Sequence, residues 1–124
     1  MKEYQTQQLR NLCLIGHGGS GKTTLTEAIL FDGKEIDRIG RVEDGTTTSD
    51  FDAEERKRQI SISAAVAPVE WKDNKINIMD TPGYFDFVGE VLESMRAADA
   101  ALITVCAVSG LQVGTEKMWN FCKS

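Results

Sequence analysis

The stretch "LRNLCLIGHGGSGKTTLTEAIL", Leu9 to Leu30, decides the fold. Its first part is a short apolar run ending at glycine, the pattern of a buried strand. Its last part places Leu25, Ala28 and Ile29 at helical spacing, and Gly33 stops the helix. Between them Gly16, Gly21, Lys22 and Thr23 fit G-x-x-x-x-G-K-[ST], a phosphate-binding loop, with the strand before and the helix after that the pattern requires. A loop that wraps a pyrophosphate with inward-pointing backbone N–H groups has little room for side chains, so glycines are favoured. The helix N-terminus adds free N–H groups and partial positive charge.

The expected cradle is Gly16, His17, Gly18, Gly19, Ser20, Gly21, Lys22, Thr23 and Thr24. Lys22 would neutralise the β- and γ-phosphates, and the Thr23 hydroxyl would ligate Mg²⁺. His17 is read as a loop residue rather than a catalytic base. A glycine-rich turn with a chance lysine is the plain alternative, and the complete pattern with its flanks weighs against it.

A second stretch, "INIMDTPGYFDF" from Ile76 to Phe87, supplies the other half of such a site. Its strand pattern delivers Asp80 to a tip, where an aspartate holds Mg²⁺ in phosphate-loop proteins. Gly83 completes D-x-x-G, and a glycine there lets a backbone N–H approach a γ-phosphate, with Pro82 stiffening the approach. In isolation "DTPG" reads as a turn of turn-forming residues. Beside the phosphate loop it reads as part of a site.

Further elements alternate along the chain. Lys34 to Lys57 shows no steady period and reads as a long, mobile surface loop with a short helix at Ala53 to Lys57. Ile60 to Trp71 alternates like a strand with one exposed face, and Pro68 places it at an edge or bulge. "KDNK" is a turn and "INIMD" the return strand of a hairpin. Phe87 to Asp99 puts Val88, Val91, Leu92 and Met95 on one helical face, Ala100 to Val108 reads as a buried strand, and Gln112 to Cys122 starts a helix. The expected class is α/β: a phosphate-loop NTPase with a mostly parallel sheet flanked by helices plus one antiparallel β-hairpin. The last helix pattern runs to Lys123-Ser124 with no capping signal, so residues 1–124 are expected to be a partial nucleotide-binding domain.

Composition limits the alternatives. At 124 residues the chain is at most one domain, and 41% hydrophobic with 27% charged residues is enough for a core. A net charge of -5 argues against autonomous DNA binding, which needs a basic surplus. The polar N-terminus is not a secretory signal, and the longest apolar run is too short for a membrane span. Three cysteines without C-x-x-C spacing read as free buried thiols in a reducing cytoplasm, and a single histidine rules out a multi-histidine metal site.

"GHGGSGKTTLTEAIL", "ERKRQISISAA", "DTPGYFDFVGEV" and "SMRAADAALITVCAVSGLQVGTEKMW" together resemble the N-terminal GTP-binding domain of bacterial elongation factor G and similar translational GTPases, over about Leu9 to Cys122. The resemblance implies GTP and GDP as ligands with Mg²⁺, a cytoplasmic monomer, and the ribosome as partner of the full-length protein. It implies two loops that order around the γ-phosphate, about Gly45 to Ser61 and Asp80 to about Glu90. It places Lys22, Gly83 and residue 84 at the reacting end, and Thr23, Ser61 and Asp80 around the metal.

Departures from that pattern are specific. "RQIS", Arg58 to Ser61, stands where the family has Arg-Gly-Ile-Thr. Ser61 keeps the hydroxyl, whereas Gln59 replaces a glycine. Gly19 stands where the family usually has an aspartate. Tyr84 stands where the family has a water-positioning histidine. A phenol can donate and accept a hydrogen bond but accepts a proton poorly at neutral pH. Slow turnover with weak ribosome stimulation is therefore expected, and the other reading of Tyr84 is aromatic packing beside Phe85 and Phe87. The guanine-reading Asn-Lys-x-Asp motif is absent; "NKIN" at Asn74 to Asn77 lies before D-x-x-G, lacks the carboxylate and reads as turn chemistry. Arg56 and Arg58 are candidates for a ribosome contact or simply a solvated loop, and Arg96 and Asp99 read as helix-end structure. Beside the GTPase reading stand a nucleotide-binding module with little hydrolysis and an ATP-using phosphate-loop enzyme.

Overall fold

A computed structural model describes residues 2–124. Strands β1 (Leu9–Gly16), β2 (Ala65–Trp71), β3 (Asn74–Asp80) and β4 (Ala100–Thr104) form one sheet in the order β2-β3-β1-β4. β1 runs parallel to both β3 and β4, and β2 pairs antiparallel with β3. The helices are α1 (Lys22–Asp32), α2 (Ala53–Arg58), α3 (Val88–Ala97) and α4 (Val113–Lys123).

β1 alternates between two cores because successive side chains of a strand point to opposite faces. Cys13 and Ile15 pack with Met79, Val91 and Met118 under α3 and α4. Leu14 packs with Leu30, Ala67, Val69 and Ile78 on the α1 side. Layered this way, the central strands β1 and β3 bring their C-terminal ends, Gly16 and Asp80, to the same edge of the sheet. Parallel α/β sheets bind their ligands at that edge.

The hairpin forms as its turn residues dictate. Lys72 and Asp73 both adopt left-handed φ, 45° and 61°, as a two-residue hairpin loop with the twist of its strands requires. Asn74 donates its side-chain amide to Lys72 O at 2.9 Å, and Gln8 Nε2 donates to Asp73 O at 2.8 Å. Pro68, lacking an N–H, sits in an edge strand.

Five expectations need correction. The strand begins at Ala65, not Ile60. The N–H groups of Ile62 and Ala64 are taken by the carboxylates of Glu55 at 3.2 Å and Glu90 at 2.7 Å, leaving no ladder to continue. The segment from Lys34 to Lys57 is not a plain surface loop, because Thr47, Ser49, Asp50 and Glu55 are buried within it. Its anchor is the buried Glu27 of α1, which accepts the N–H of Gly40 at 2.9 Å and that of Thr48. In α3 the buried face carries Val91 and Ser94, while Leu92 is exposed. β4 ends at Thr104, pairs only with β1 and leaves Leu102 exposed, so it is an edge rather than a buried strand. Of the cysteines only Cys13 is buried; Cys106 is partly exposed and Cys122 exposed. Burial pushes the Cys13 thiol up to about 12.

Candidate nucleotide site

The loop from Gly16 to Gly21 turns the chain from β1 into α1. Gly19 and Gly21 take left-handed φ of 78° and 93°, which other residues adopt only with strain. Lys22 opens α1 and folds back, donating Nζ to Gly16 O at 3.2 Å and to His17 O at 3.0 Å. It is a buried cation whose hydrogen-bond acceptors are backbone carbonyls, and burial lowers its ammonium below the usual lysine range, partly opposed by Asp80. Ser20 Oγ and Thr104 Oγ1 share a hydrogen bond of 2.7 Å, which ties the loop to the end of β4.

Thr23 is the second residue of α1, and its Oγ1 donates to Asp80 Oδ2 at 2.8 Å. Ser61 Oγ lies 3.1 Å from Thr23 Oγ1 and donates to Asp50 Oδ1 at 2.6 Å. Ser49 Oγ donates to the same Asp80 Oδ2 at 2.9 Å. Asp80 itself is 1% exposed, and its other oxygen, Oδ1, is buried without a hydrogen-bond partner. Burial pushes its carboxyl above the usual aspartate range, with the Thr23 and Ser49 hydrogen bonds working in the other direction. A buried carboxylate oxygen with no donor at a strand tip, beside the hydroxyls of Thr23 at a helix start and Ser49 in a loop, is a donor set of the hard oxygen type that suits Mg²⁺.

The second stretch lies directly on the loop. A Cβ on Gly83 would stand 2.6 Å from both N and Cα of Gly18 and 2.7 Å from Lys22 Nζ, so only glycine fits. Tyr84 follows, half exposed. Phe85 sits edge-on to His17 with 6.5 Å between ring centroids, and Lys117 Nζ lies 4.5 Å from the Phe85 centroid. His17 Nδ1 accepts the Gly114 N–H at 3.1 Å, so it is a structural member of the loop. A cavity of about 270 Å³ is lined by Gly18, Gly19, Gly21, Lys22, Thr23, Thr24, Ser61, Gly83 and Tyr84, together with Asp50 and Gln59.

Of the residues singled out for the site, Gly18, Gly19, Gly21, Lys22, Thr23, Thr24, Ser61, Gly83 and Tyr84 line this cavity, with Ser61 carried inward by the loop after α2. Gly16, His17, Ser20 and Asp80 are not in its lining, and Asp80 is tied to it through Thr23. Gln59 caps α2 in a left-handed conformation, φ 56° and ψ 35°, where the resemblance has glycine. Its side chain donates to Glu43 O at 2.9 Å. Sequence reading missed Ser49, Asp50 and Glu55. The run "TTTSD" of hydroxyls and an acid just ahead of the helix cap Asp52 was the available signal. Of the basic loop residues, Arg58 pairs with Glu54 at 2.5 Å and Arg56 Nε donates to Asp50 O at 3.2 Å. Asp99 accepts the Asn11 N–H at 2.7 Å and so belongs to the frame.

Comparison with known proteins follows the same geometry. Residues 7–124 match the family described as Elongation factor Tu GTP binding domain. The chain is 46% identical over 114 residues to an Elongation factor G-like protein of Mycobacterium tuberculosis, covering 92% of this chain and 16% of that protein. It is 44% identical over 113 residues to Elongation factor G 1 of Treponema denticola, covering 91% of this chain and 16% of that protein. A Thermus thermophilus crystal structure superposes with a TM-score of 0.90 at 46% identity, over 94% of this chain and 18% of that one. Elongation factor SelB of Methanococcus maripaludis, solved in complex with the GTP analogue GppNHp, shares the fold with a TM-score of 0.67 at 20% identity, over 98% of this chain and 20% of that one. The chain therefore spans about a sixth of the length of the curated relatives it matches. It belongs to the family of Elongation factor Tu GTP binding domains.

Proposed function

We propose that this chain is the Mg²⁺-dependent, GTP-hydrolysing switch domain of an elongation-factor-G-like translation factor that acts on the ribosome through the full-length protein. One observation carries the reading. Lys22, Thr23, Ser61, Gly83 and Tyr84, drawn from three separate stretches, line one cavity, and Asp80, bonded to Thr23, keeps a buried carboxylate oxygen without a partner.

In this reading the Gly16–Thr24 backbone cradles the phosphates and Lys22 places its charge on the β- and γ-phosphates. Thr23 and Ser61 would offer hydroxyl oxygens to Mg²⁺, and the Asp80 carboxylate would help hold the ion. The ion supplies neutralisation of the phosphate charge that develops during transfer to water. The Gly83 N–H reports the γ-phosphate, and loss of that contact on hydrolysis releases the segment from Asp80 to about Glu90. Tyr84 orients the attacking water by hydrogen bonding, without acting as a strong base. Turnover is accordingly slow, and Tyr84→His accelerates single-turnover hydrolysis on ribosomes; a His variant no faster than the wild type removes this role from the phenol.

The base is tested separately by displacing a fluorescent GTP analogue from the intact protein. GTP and GDP compete and ATP does not; equal competition by ATP contradicts the assignment. A second reading, a GTP-binding module with little hydrolysis, draws on the half-exposed phenol at position 84.

A further inference from the structure

The glycine at position 18 has a neighbour that phosphate binding does not explain. A Cβ on Gly18 would lie 3.1 Å from both Cε2 and Cζ of Tyr84 and 3.4 Å from its Cδ2. Gly18 is not among the residues with left-handed φ, so its backbone conformation does not require glycine. An alanine there would keep the N–H that a phosphate needs, yet its methyl would press into the phenol closer than ordinary van der Waals contact.

The flanks of Tyr84 are fixed. Gly83 lies against the N and Cα of Gly18, and Phe85 stands edge-on to His17, which the Gly114 N–H holds in turn. The phenol therefore enters the cavity wall between two anchored residues, and Gly18 is what it rests on. With 47% of its surface exposed, the ring has room to move outward if pushed. Core-like contacts resist added volume, and an exposed ring yields before the loop backbone does.

We infer that Gly18 is a positioning residue for Tyr84: the missing side chain is the space that lets the phenol lie against the phosphate loop, and the two residues act as a pair. The kinetic consequence rests on the GTPase reading above; the placement of the ring does not.

The test uses the intact protein with 3-fluorotyrosine introduced at position 84. Fluorine NMR is recorded without nucleotide, and GTP affinity and single-turnover hydrolysis on ribosomes are measured on unlabelled variants. Gly18→Ala shifts the fluorine resonance and, at saturating GTP, slows single-turnover hydrolysis by about tenfold or more, as a displaced reacting group does. In a Tyr84→Ala background the same change has no further effect on hydrolysis. An unshifted resonance overturns the inference, as does an equal loss of rate in both backgrounds. Loss of GTP binding with an unshifted resonance also overturns it, returning Gly18 to a plain member of the cradle. A wild-type protein that binds GTP and never hydrolyses it refutes the GTPase reading instead; the fluorine shift then decides the pairing alone.

Discussion

Thr23 Oγ1 donates a 2.8 Å hydrogen bond to Asp80 Oδ2, joining the first turn of α1 to the tip of β3. Two stretches far apart in the chain thereby place a hydroxyl and a carboxylate side by side. Since β1 and β3 are parallel neighbours, with Leu14 in register with Asp80, the phosphate loop and the aspartate must emerge at the same edge. The sheet positions the site, and the loops supply its chemistry.

Asp80 gives the site a pH dependence. Burial holds its carboxyl above the ordinary aspartate value of about 3.9. Cation binding needs the carboxylate, so protons compete as the pH falls through that raised value. Mg²⁺-dependent GTP affinity, measured by titration across acid pH, is expected to weaken while the pH is still above the usual aspartate range. Asp80→Asn removes that component, and an Asn variant with the same acid profile contradicts it. Without ligand the sign is opposite: a raised carboxyl contributes stability that is complete below the unfolded value and lost as the pH rises through the folded one.

Lys22 should separate binding from stability. It is a buried cation bonded to two backbone carbonyls, and burial lowers its ammonium. Lys22→Met keeps most of the volume and removes the desolvated charge, so chemical denaturation without nucleotide should shift by no more than about 1 kcal/mol, in either direction. Stabilisation on adding GTP should disappear. A methionine variant that GTP still stabilises would be inconsistent with the phosphate role.

Glu27 should hold the long segment in place. Its carboxylate accepts the N–H groups of Gly40 and Thr48, and it is 1% exposed. Glu27→Ala leaves two donors unpaired and should cost roughly 2–4 kcal/mol. Limited proteolysis is expected to cut between Lys34 and Asp52 faster in the variant, whereas unchanged cleavage would mean the segment is anchored elsewhere.

Gly83→Ala should separate the second stretch from the phosphate loop. The new methyl would meet Gly18 N and Cα at 2.6 Å, which rigid backbone cannot absorb. Overpacking of this kind costs about 1–3 kcal/mol. Hydrogen exchange from Thr81 to Phe87 should rise in the variant, and unchanged protection there would show that the stretch does not need the contact.

What was legible in the sequence was local. The glycine loop and D-T-P-G are governed by backbone chemistry within a few residues and form where read. The hairpin also forms, but its turn is only Lys72-Asp73, and Asn74 to Asn77, read as turn chemistry, lie in β3 because Asn74 already pairs with Trp71. Tyr84 and Ser61 could be singled out because the motifs around them are specific. The missed features depend on distant partners. Ile60 to Ala64 has strand-like alternation, but carboxylates of Glu55 and Glu90 claim the N–H groups of Ile62 and Ala64. Ser49 and Asp50 look like solvated loop residues until the chain, anchored on Glu27, folds them toward Asp80 and Ser61. The exposed Leu92 and buried Ser94 reflect the rotation of α3 about its axis, which a hydrophobic stripe alone leaves loose.

The most direct test of the central claim is single-turnover GTP hydrolysis by the intact protein, with and without ribosomes. The account predicts slow hydrolysis by the protein alone and a rate that ribosomes increase. A protein that binds GTP but hydrolyses it no faster on ribosomes than off them would contradict it.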